Sequence, residues 1–286
     1  MPEKPLPSQG GDADKDDLPR LAMHANPSAQ QGACSLETRD LTIRFGGHVA
    51  VNAVSCAFYP GTLTAIVGPN GAGKTTYFNL VSGQLKASAG SVMLHGRDIS
   101  GLPASERTHA GLGRAFQLTS LFPHLTVQEN IRLALQSKDR LGLDLWNVWN
   151  RHRGLIARAG EVLEAVALHG KKDMRAAELP HGDQRKLEVG MLMALDPDIY
   201  MFDEPTAGMS VDEVPVILDL IRALKARRDK TILLVEHKMD VVRELADRII
   251  VLHNGTLMAD GEPETVIASP VVQQAYLGLA PVEDAA

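Results

Sequence analysis

The sequence predicts an α/β fold with a mostly parallel β-sheet, an antiparallel β portion and a helical subdomain. Three observations support this class. In the last third of the chain, short apolar strand patterns alternate with amphipathic helix patterns, as in parallel sheets covered by helices. Two strand patterns flank the Gly46–Gly47 turn, which predicts the antiparallel portion. Helical periodicity across about residues 118–195 predicts the subdomain.

Length, charge and cysteine content narrow the class of protein. The 286 residues can bury a sizeable core in one large domain or two modest ones. A formal net charge of -6 gives no general attraction to nucleic acid. Cys34 and Cys56 are the only cysteines, which excludes a disulfide framework and argues against a zinc site. With neither a long apolar run nor a signal peptide, we expect a soluble, cytoplasmic protein. If it works at a membrane, a partner chain must supply the spanning segments.

Composition divides the chain into an extension and a folded domain. Residues 1–34 contain five prolines, a Gly10–Gly11 pair and an acidic run from Asp12 to Asp17, with few apolar residues. This composition predicts a disordered extension, because too little apolar surface is available to offset the entropy of ordering. A regulatory or docking tail is the alternative. Residues 35–286 are predicted to form the folded domain.

The elements before the subdomain follow from local patterns. β-Branched and apolar runs bounded by glycines predict strands, and the apolar spacing after the glycine-rich loop predicts a helix that ends near Gly83. The predicted strands are Leu36 to Phe45, Val49 to Phe58, Thr62 to Val67 and Ser91 to Leu94, and the helix is Thr75 to Val81.

The middle of the chain has helical spacing. Val127 to Gln136 and Arg158 to Leu168 are predicted helices. Between them, Trp146 and Trp149 lie three residues apart in an apolar insert. These tryptophans fit the core of the helical subdomain, and they also fit a surface that docks a partner.

The last third alternates again. A helix is predicted to precede an acidic strand, and an Asn254–Gly255 hairpin signal joins the final two strands. The predicted helices are Gln184 to Met193, Val211 to Arg227 and Lys238 to Ala246, and the strands are Ile199 to Phe202, Thr231 to Val235, Arg248 to Leu252 and Thr256 to Ala259.

A glycine-rich loop predicts a phosphate-binding site. It connects a buried strand to a helix, which is the context that this motif requires. Its glycines let backbone N–H groups face an anion, and the positive end of the helix points at the same place. Lys74 is expected to reach the β- and γ-phosphates, Thr75 to ligate Mg²⁺, and Thr76 to contact the nucleotide. The pattern G-x-x-x-x-G-K-[ST] is matched in full by Gly68, Pro69, Asn70, Gly71, Ala72, Gly73, Lys74 and Thr75.

An apolar strand ends in two acids, Asp203 and Glu204. A buried parallel strand delivers such carboxylates to the carboxyl edge of the sheet, where ligands bind in α/β folds. We expect Asp203 to hold Mg²⁺ and Glu204 to act as the general base on the attacking water. Strand termination alone is the simpler alternative, and the phosphate loop earlier in the chain favours the catalytic role.

These motifs resemble those of the ATP-binding-cassette (ABC) ATPases, from about Leu36 to Leu279. The resemblance implies a P-loop NTPase cassette that binds ATP with Mg²⁺. It also implies that Phe45 stacks on adenine, although an ordinary strand aromatic is the alternative. Arg114-Ala115-Phe116-Gln117 resembles the Q-loop of the family, which implies that Gln117 contacts Mg²⁺ and the attacking water.

Leu179 to Arg185 stands at the position of the family signature, usually L-S-G-G-Q. The resemblance implies that this helix start contacts the γ-phosphate held by a second subunit. The sequence departs from the pattern, because Pro180 replaces the serine, His181 the first glycine and Asp183 the glutamine, whereas Gly182 is kept. His181, Gly182 and Asp183 are assigned to the nucleotide on this likeness, with helix capping or packing as the alternative for His181.

Two further positions match the family. His237 follows a strand at the place where the family has a histidine that bonds the γ-phosphate and orients the water. Ala207 to Ser210 resembles the D-loop at the dimer interface, with Ser210 in place of the usual aspartate. Lys74, Gln117, Glu204 and His237 thus form the implied catalytic set.

Longer strings resemble the ATPase subunits of branched-chain amino-acid importers. This implies a dimer with itself or a sister ATPase, two membrane permeases, an indirect link to a periplasmic binding protein, and a place at the cytoplasmic face of the inner membrane. The alternatives are a urea or amide importer, a lipopolysaccharide exporter and, more distantly, a soluble ATPase acting on DNA or the ribosome. The matching strings are Phe45 to Gly47, Leu179 to Glu188, Ala207 to Ser210 and Ala275 to Gly278.

Overall fold

The computed structural model describes residues 33–115, 121–139 and 153–277. The predicted disordered extension over residues 1–34, except its last two residues, lies outside this part of the chain, as do Gln117, Trp146 and Trp149. No helix in the described ranges has the length and apolar character that crossing a bilayer requires. The predicted α/β class is confirmed, because the chain contains one largely parallel and one antiparallel sheet.

The antiparallel sheet has four strands in the order β2-β1-β4-β5. Its β1–β2 hairpin turns at Gly46, whose φ of 60° lies in the left-handed region that glycine adopts without steric cost. Apolar residues on one face of β1 and β2 pack into a shared core, while the opposite face is exposed. The strands are β1 (Leu36–Phe45), β2 (His48–Phe58), β4 (Ala89–Leu94) and β5 (Arg97–Asp98).

The second sheet has six strands in the order β10-β9-β3-β8-β7-β6. Five of them run parallel, and β10 pairs antiparallel with β9. Strands β3, β7 and β8 are buried along their whole length, which explains their continuous apolar sequences. The strands are β3 (Leu63–Val67), β6 (Leu112–Ala115), β7 (Ile199–Asp203), β8 (Thr231–Val235), β9 (Arg248–His253) and β10 (Thr256–Gly261).

Helices cover this sheet and form a subdomain beside it. Three of them, α3, α4 and α5, pack on one another and share a hydrophobic core with β7 and β8. Thr126 and Glu129 form a capping box that begins α3. The helices are α1 (Lys74–Ser82), α2 (Ala104–His109), α3 (Val127–Lys138), α4 (Arg153–Ala165), α5 (His181–Leu195), α6 (Val214–Ala226), α7 (Met239–Leu245), α8 (Pro263–Ala268) and α9 (Pro270–Leu277).

Four predicted helix boundaries are wrong by several residues. Helix α4 begins at Arg153 and not at Arg158. Helix α5 begins at His181 and not at Gln184, because Pro180 serves as its N-cap, where no backbone N–H is needed. Helix α6 begins at Val214, with a proline in its first turn, and the residues from Val211 form a turn before it. Helix α4 ends at Ala165, before Ala167 adopts a left-handed φ of 55°.

Asp196 connects the subdomain to the sheet. It ends α5 in a left-handed conformation, and its carboxylate pairs with Lys138 of α3, Arg227 after α6 and Lys230 before β8. Burial acts to raise the pKa of Asp196, but these cations outweigh it and lower the pKa from 3.8 to about 2. Helix α3 and the connection between α6 and β8, which are far apart in sequence, therefore meet at the carboxylate that ends α5.

Candidate functional site

Three loops converge at the carboxyl edge of the parallel sheet. Strand β8 lies between β3 and β7, with Val235 opposite both Ile66 and Asp203 in the register. The glycine-rich loop follows β3, Glu204 follows β7, and His237 lies just after β8. Because parallel strands end at the same edge, the topology brings together residues that are more than 160 positions apart.

The loop from Gly68 to Lys74 is shaped by close backbone approaches. Gly73 caps α1 with a φ of 95°, and a Cβ atom there would lie 2.6 Å from the Ala50 carbonyl oxygen. At Gly68, a Cβ atom would lie 2.2 Å from the Leu252 carbonyl oxygen. Only glycine fits these two positions, and the loop consequently presents backbone N–H groups at the start of α1.

The loop offers both buried and accessible groups. Ala72 is buried against the antiparallel sheet, while Pro69 and Thr76 are half-buried. Asn70, Gly71 and Thr75 are exposed at the sheet edge. The Thr75 hydroxyl is thus accessible to a ligand at the helix start.

The Lys74 side chain folds back onto the glycine-rich loop that precedes it. Its ammonium group donates to the carbonyl oxygens of Gly68 at 2.6 Å and Pro69 at 2.9 Å. Burial lowers the pKa of Lys74, whereas the charges of Glu204 and Asp203 act to raise it. These influences show that the cation shares one electrostatic environment with both carboxylates.

Asp203 forms a buried ion pair that no sequence motif indicated. The Arg114 guanidinium on β6 donates to its Oδ2 atom at 2.7 Å, and the two side chains are only 6% and 7% exposed. Burial raises the pKa of Asp203, although Arg114 opposes that effect. An arginine inside an otherwise apolar four-residue strand was the available sequence signal.

Glu204 and His237 are in direct contact. The Glu204 Oε1 and His237 Nε2 atoms are 2.6 Å apart, and both side chains are 40% exposed. Glu204 adopts a φ of 50°, which is unusual for a residue with a side chain. Its N–H donates to the Val235 carbonyl oxygen at 2.9 Å, which fixes the strained backbone against β8.

The buried residue Glu236 forms hydrogen bonds next to this contact, although its sequence context predicted no role for it. The residue is 3% exposed, and its carboxylate accepts hydrogen bonds from Thr206 and from the His237 N–H. An acid directly after a fully buried, largely apolar strand was the signal in the sequence.

The remaining predicted residues lie away from this edge cluster or outside the described chain. Phe45 ends β1 with half of its surface exposed, so its ring is accessible for stacking. At the start of α5, His181 is exposed, and Gly182 lies so close to Glu213 that a Cβ atom would clash with its carboxylate. Gln117 is among the residues that the structure does not describe.

Asp183 is buried within its own subunit. Its carboxylate pairs with Lys171 and with Lys186, the latter at 2.9 Å. Burial acts to raise its pKa, but the two ammonium groups outweigh burial and lower it. Both carboxylate oxygens of Asp183 are therefore paired with lysines of the same subunit.

The arrangement supplies the parts needed to hold and hydrolyse a triphosphate. It combines backbone donors and a lysine for phosphate oxygens with a carboxylate–histidine pair for a water molecule. Thr75 and Asp203 offer hard oxygen donors at the same edge, the type that Mg²⁺ prefers.

Comparison with known proteins identifies the family. Residues 51–207 match the family model described as ABC transporter. The chain is 38% identical to the high-affinity branched-chain amino acid transport ATP-binding protein LivG of Escherichia coli, over 85% of this chain and 97% of that protein. BraF of Pseudomonas aeruginosa, described in the same words, shows the same identity and coverage.

Solved structures agree with the sequence relatives. The ADP conformation of an ATP-binding cassette of an ABC transporter matches with a TM-score of 0.74 and 30% identity, over 86% of this chain and 99% of that one. A dimeric cassette in a post-hydrolysis state, bound to ADP and Pi, matches with a TM-score of 0.70 and 25% identity, over 80% of this chain and 98% of that one. The chain belongs to the ABC transporter family, as an ATP-binding subunit with ATPase activity.

Proposed function

We propose that this subunit powers the import of branched-chain or related amino acids by hydrolysing Mg-ATP. The observation that carries the catalytic part is the meeting of Lys74, Asp203, Glu204 and His237 at the ends of adjacent parallel strands. The substrate class rests on the likeness to LivG and BraF, which are named as branched-chain amino acid transport proteins.

The nucleotide phosphates bind across the start of α1. Backbone N–H groups of the loop from Gly68 to Thr76 donate to the phosphate oxygens, and the helix dipole favours the anion. Lys74 exchanges its two carbonyl acceptors for phosphate oxygens, which retains its hydrogen bonds and pairs its buried charge. The exposed ring of Phe45 stacks on the adenine base.

The donor set at the sheet edge fits Mg²⁺. Thr75 would contribute its exposed hydroxyl and Asp203 its carboxylate, which Arg114 orients. The family likeness adds an amide oxygen from Gln117, which lies outside the described residues. A Mg²⁺ ion held there would supply charge neutralisation during phosphoryl transfer. The buried Arg114 fixes the orientation of the Asp203 carboxylate at this edge of the sheet.

Glu204 and His237 act on the attacking water. The Glu204 Oε1 atom, which accepts the proton, lies 2.6 Å from the His237 Nε2 atom. That nitrogen bonds the γ-phosphate. Glu204 withdraws a proton from water as the water oxygen attacks phosphorus in line with the leaving oxygen. Gln117 completes the orientation of the water through its amide.

A second ATPase subunit closes the site. The start of its α5, through backbone donors of Gly182 and Asp183 and the exposed ring of His181, faces the γ-phosphate. The dimer then drives two membrane permeases at the cytoplasmic face of the inner membrane, with a periplasmic binding protein delivering the substrate. No nucleic acid takes part in this scheme.

Uptake in the parent organism tests the substrate class. Deleting the gene should abolish high-affinity uptake of radiolabelled leucine, and the wild-type chain should restore it, whereas Lys74→Met should not. Labelled urea and an unrelated sugar serve as controls. Loss of urea uptake with leucine uptake intact would identify a urea importer instead. Unchanged uptake of all three together with a defect in the lipopolysaccharide of the outer membrane would identify the exporter.

A further inference from the structure

We propose that Glu236 is a positioning residue for hydrolysis, which holds Glu204 and His237 in register through hydrogen bonds to the backbones on either side. The proposal rests on the catalytic roles proposed for those two residues. Glu236 itself is 3% exposed and does not face the nucleotide edge as a free group. It acts through what its carboxylate binds.

Both oxygens of the Glu236 carboxylate are engaged. Oε1 accepts from the Thr206 hydroxyl at 2.8 Å and from the Thr206 N–H at 3.4 Å. Oε2 accepts from the His237 N–H at 3.1 Å. One carboxylate thus connects the loop that follows β7 to the residue that follows β8.

The hydrogen bonds of Glu236 are a second link between the loop that follows β7 and the loop that follows β8. The Glu204 N–H already donates to the Val235 carbonyl oxygen at 2.9 Å, at the base of the loops. Thr206 and Glu236 join them again two residues further along the β7 loop. The chain is therefore fixed at the N–H of Glu204 and again at Thr206, which keeps the Glu204 backbone at a φ of 50° and its side chain against His237.

The chemistry of the site explains why an acid is placed there. In the described part of the chain the hydrogen bonds to Glu236 come from a hydroxyl and two backbone amides, not from an arginine or lysine. Burying a carboxylate with only neutral donors costs free energy relative to an apolar side chain. Such a group is favoured where its two acceptors fix separate backbones, because a carboxylate alone among side chains offers two equivalent oxygens without a donor.

Thr206 gives the sharpest test, because two substitutions separate hydrogen bonding from packing. The residue is 1% exposed. Thr206→Val keeps the volume and loses the hydroxyl, whereas Thr206→Ser keeps the hydroxyl and loses a methyl group. If the residue acts through Glu236, single-turnover ATP hydrolysis should follow the hydroxyl, with serine near wild type and valine impaired. A packing role predicts the reverse order.

Glu236→Gln tests the carboxylate itself in the full-length chain. Glutamine keeps one acceptor oxygen. Its NH2 group, however, replaces the other oxygen and faces a group of Thr206 or His237 that is itself a donor. We expect kcat to fall about 10- to 100-fold, the loss typical of substituting a residue that orients a functional group. The KM for ATP and the Kd for Mg-ATP should stay within about twofold, because the phosphate loop is untouched. In the double variant with Thr206→Val, the losses should be less than additive.

The matched control is Glu129→Gln in the capping box of α3. That glutamate also accepts from a threonine hydroxyl and a threonine N–H, at 3.0 and 2.9 Å, but it lies in the helical subdomain. A capping box accepts glutamine in place of glutamate, so kcat should be unchanged. A fall in kcat there equal to that of Glu236→Gln would attribute the effect to general loss of stability and overturn the proposal.

Parallel variants separate this proposal from the catalytic assignment. If Glu204→Gln and His237→Ala hydrolyse ATP at the wild-type rate, the proposed catalytic roles fail. If those two lose activity while Glu236→Gln and Thr206→Val keep theirs, only the positioning role fails. Should Glu236→Gln prove unstable in thermal unfolding, the ratio of the Thr206→Val to Thr206→Ser rates decides alone.

Discussion

Arg114 and Asp203 join the strand β6 to the strand β7 through a buried ion pair of 2.7 Å. The same guanidinium donates to Asn79 at 2.7 Å and Ser82 at 2.8 Å, both on α1. The carboxylate proposed to hold Mg²⁺ is therefore fixed to the helix that begins at the phosphate loop. One side chain thus links α1 directly to Asp203.

Arg114→Met should destabilise the protein strongly. The substitution leaves the Asp203 carboxylate buried without its cation, which costs about 3–5 kcal/mol in comparable buried pairs. Urea unfolding at pH 7 measures the loss. Arg39→Met is the control, because the pair of Arg39 with Glu37 is exposed to solvent and should contribute little to the free energy of unfolding. Equal losses in the two variants would show that burial of the Arg114 pair is unimportant.

Gly73→Ala should impair nucleotide binding. Its φ of 95° is unfavourable for alanine, and the new Cβ atom would lie 2.6 Å from the Ala50 carbonyl oxygen. We expect the Kd for ATP to rise about 5- to 150-fold, since a loop rearrangement costing ~1–3 kcal/mol is required. Titration with a fluorescent ATP analogue measures the Kd.

Gly47→Ala, in the turn between β1 and β2, is the matched control for Gly73→Ala. A Cβ atom at Gly47 would have no neighbouring heavy atom within 4 Å, and the residue needs no left-handed backbone. Its Kd for ATP should equal the wild-type value. If both alanine variants bind ATP normally, the close approach to Ala50 does not shape the loop.

Lys74→Met should separate function from stability. Hydrolysis should fall about 10²- to 10³-fold, the loss typical of removing one preorganised donor from a reacting centre. The free energy of unfolding should be unchanged or slightly higher, because burying the charged ammonium group of Lys74 is unfavourable in the wild type. Steady-state phosphate release and thermal unfolding give the two readouts. Lys86→Met, at an exposed lysine just after α1, should change neither, and a similar loss of hydrolysis there would contradict a specific role for Lys74.

Asp196→Asn should reduce stability in a pH-dependent way. The folded-state pKa of Asp196 is lowered from 3.8 to about 2, so its contribution is fully present above pH 3.8 and is lost as pH falls towards 2. At pH 7 the variant should lose about 2 kcal/mol in the free energy of unfolding. The difference should shrink by about half near pH 3. A difference in urea unfolding that is constant from pH 7 to pH 3 would contradict the ion-pair explanation.

Sequence patterns predicted the elements that rest on local chemistry. The strand into the phosphate loop, the helix after it and the acidic strand ending at Asp203 all follow from periodicity and motif spacing. The predicted hairpin at Asn254 and Gly255 is present between β9 and β10. These features depend on residues close in sequence, so a single chain suffices to predict them.

Contacts between distant elements could not be predicted in this way. The pairings of Arg114 with Asp203 and of Thr206 with Glu236 depend on sheet order, which local periodicity does not encode. Asp183 was assigned to the nucleotide by its place in the signature, yet its side chain is bound by Lys171 and Lys186 of the same subunit. Such partners become visible only when the packing of α5 is known.

The rate of ATP hydrolysis by Glu204→Gln tests the central claim most directly. Gln keeps the shape of the side chain but cannot accept a proton, so Mg-ATP should bind with unchanged affinity. Single-turnover hydrolysis should fall at least about 100-fold if Glu204 is the general base. A variant that binds Mg-ATP and hydrolyses it at a rate near wild type would contradict the role of the Glu204–His237 pair.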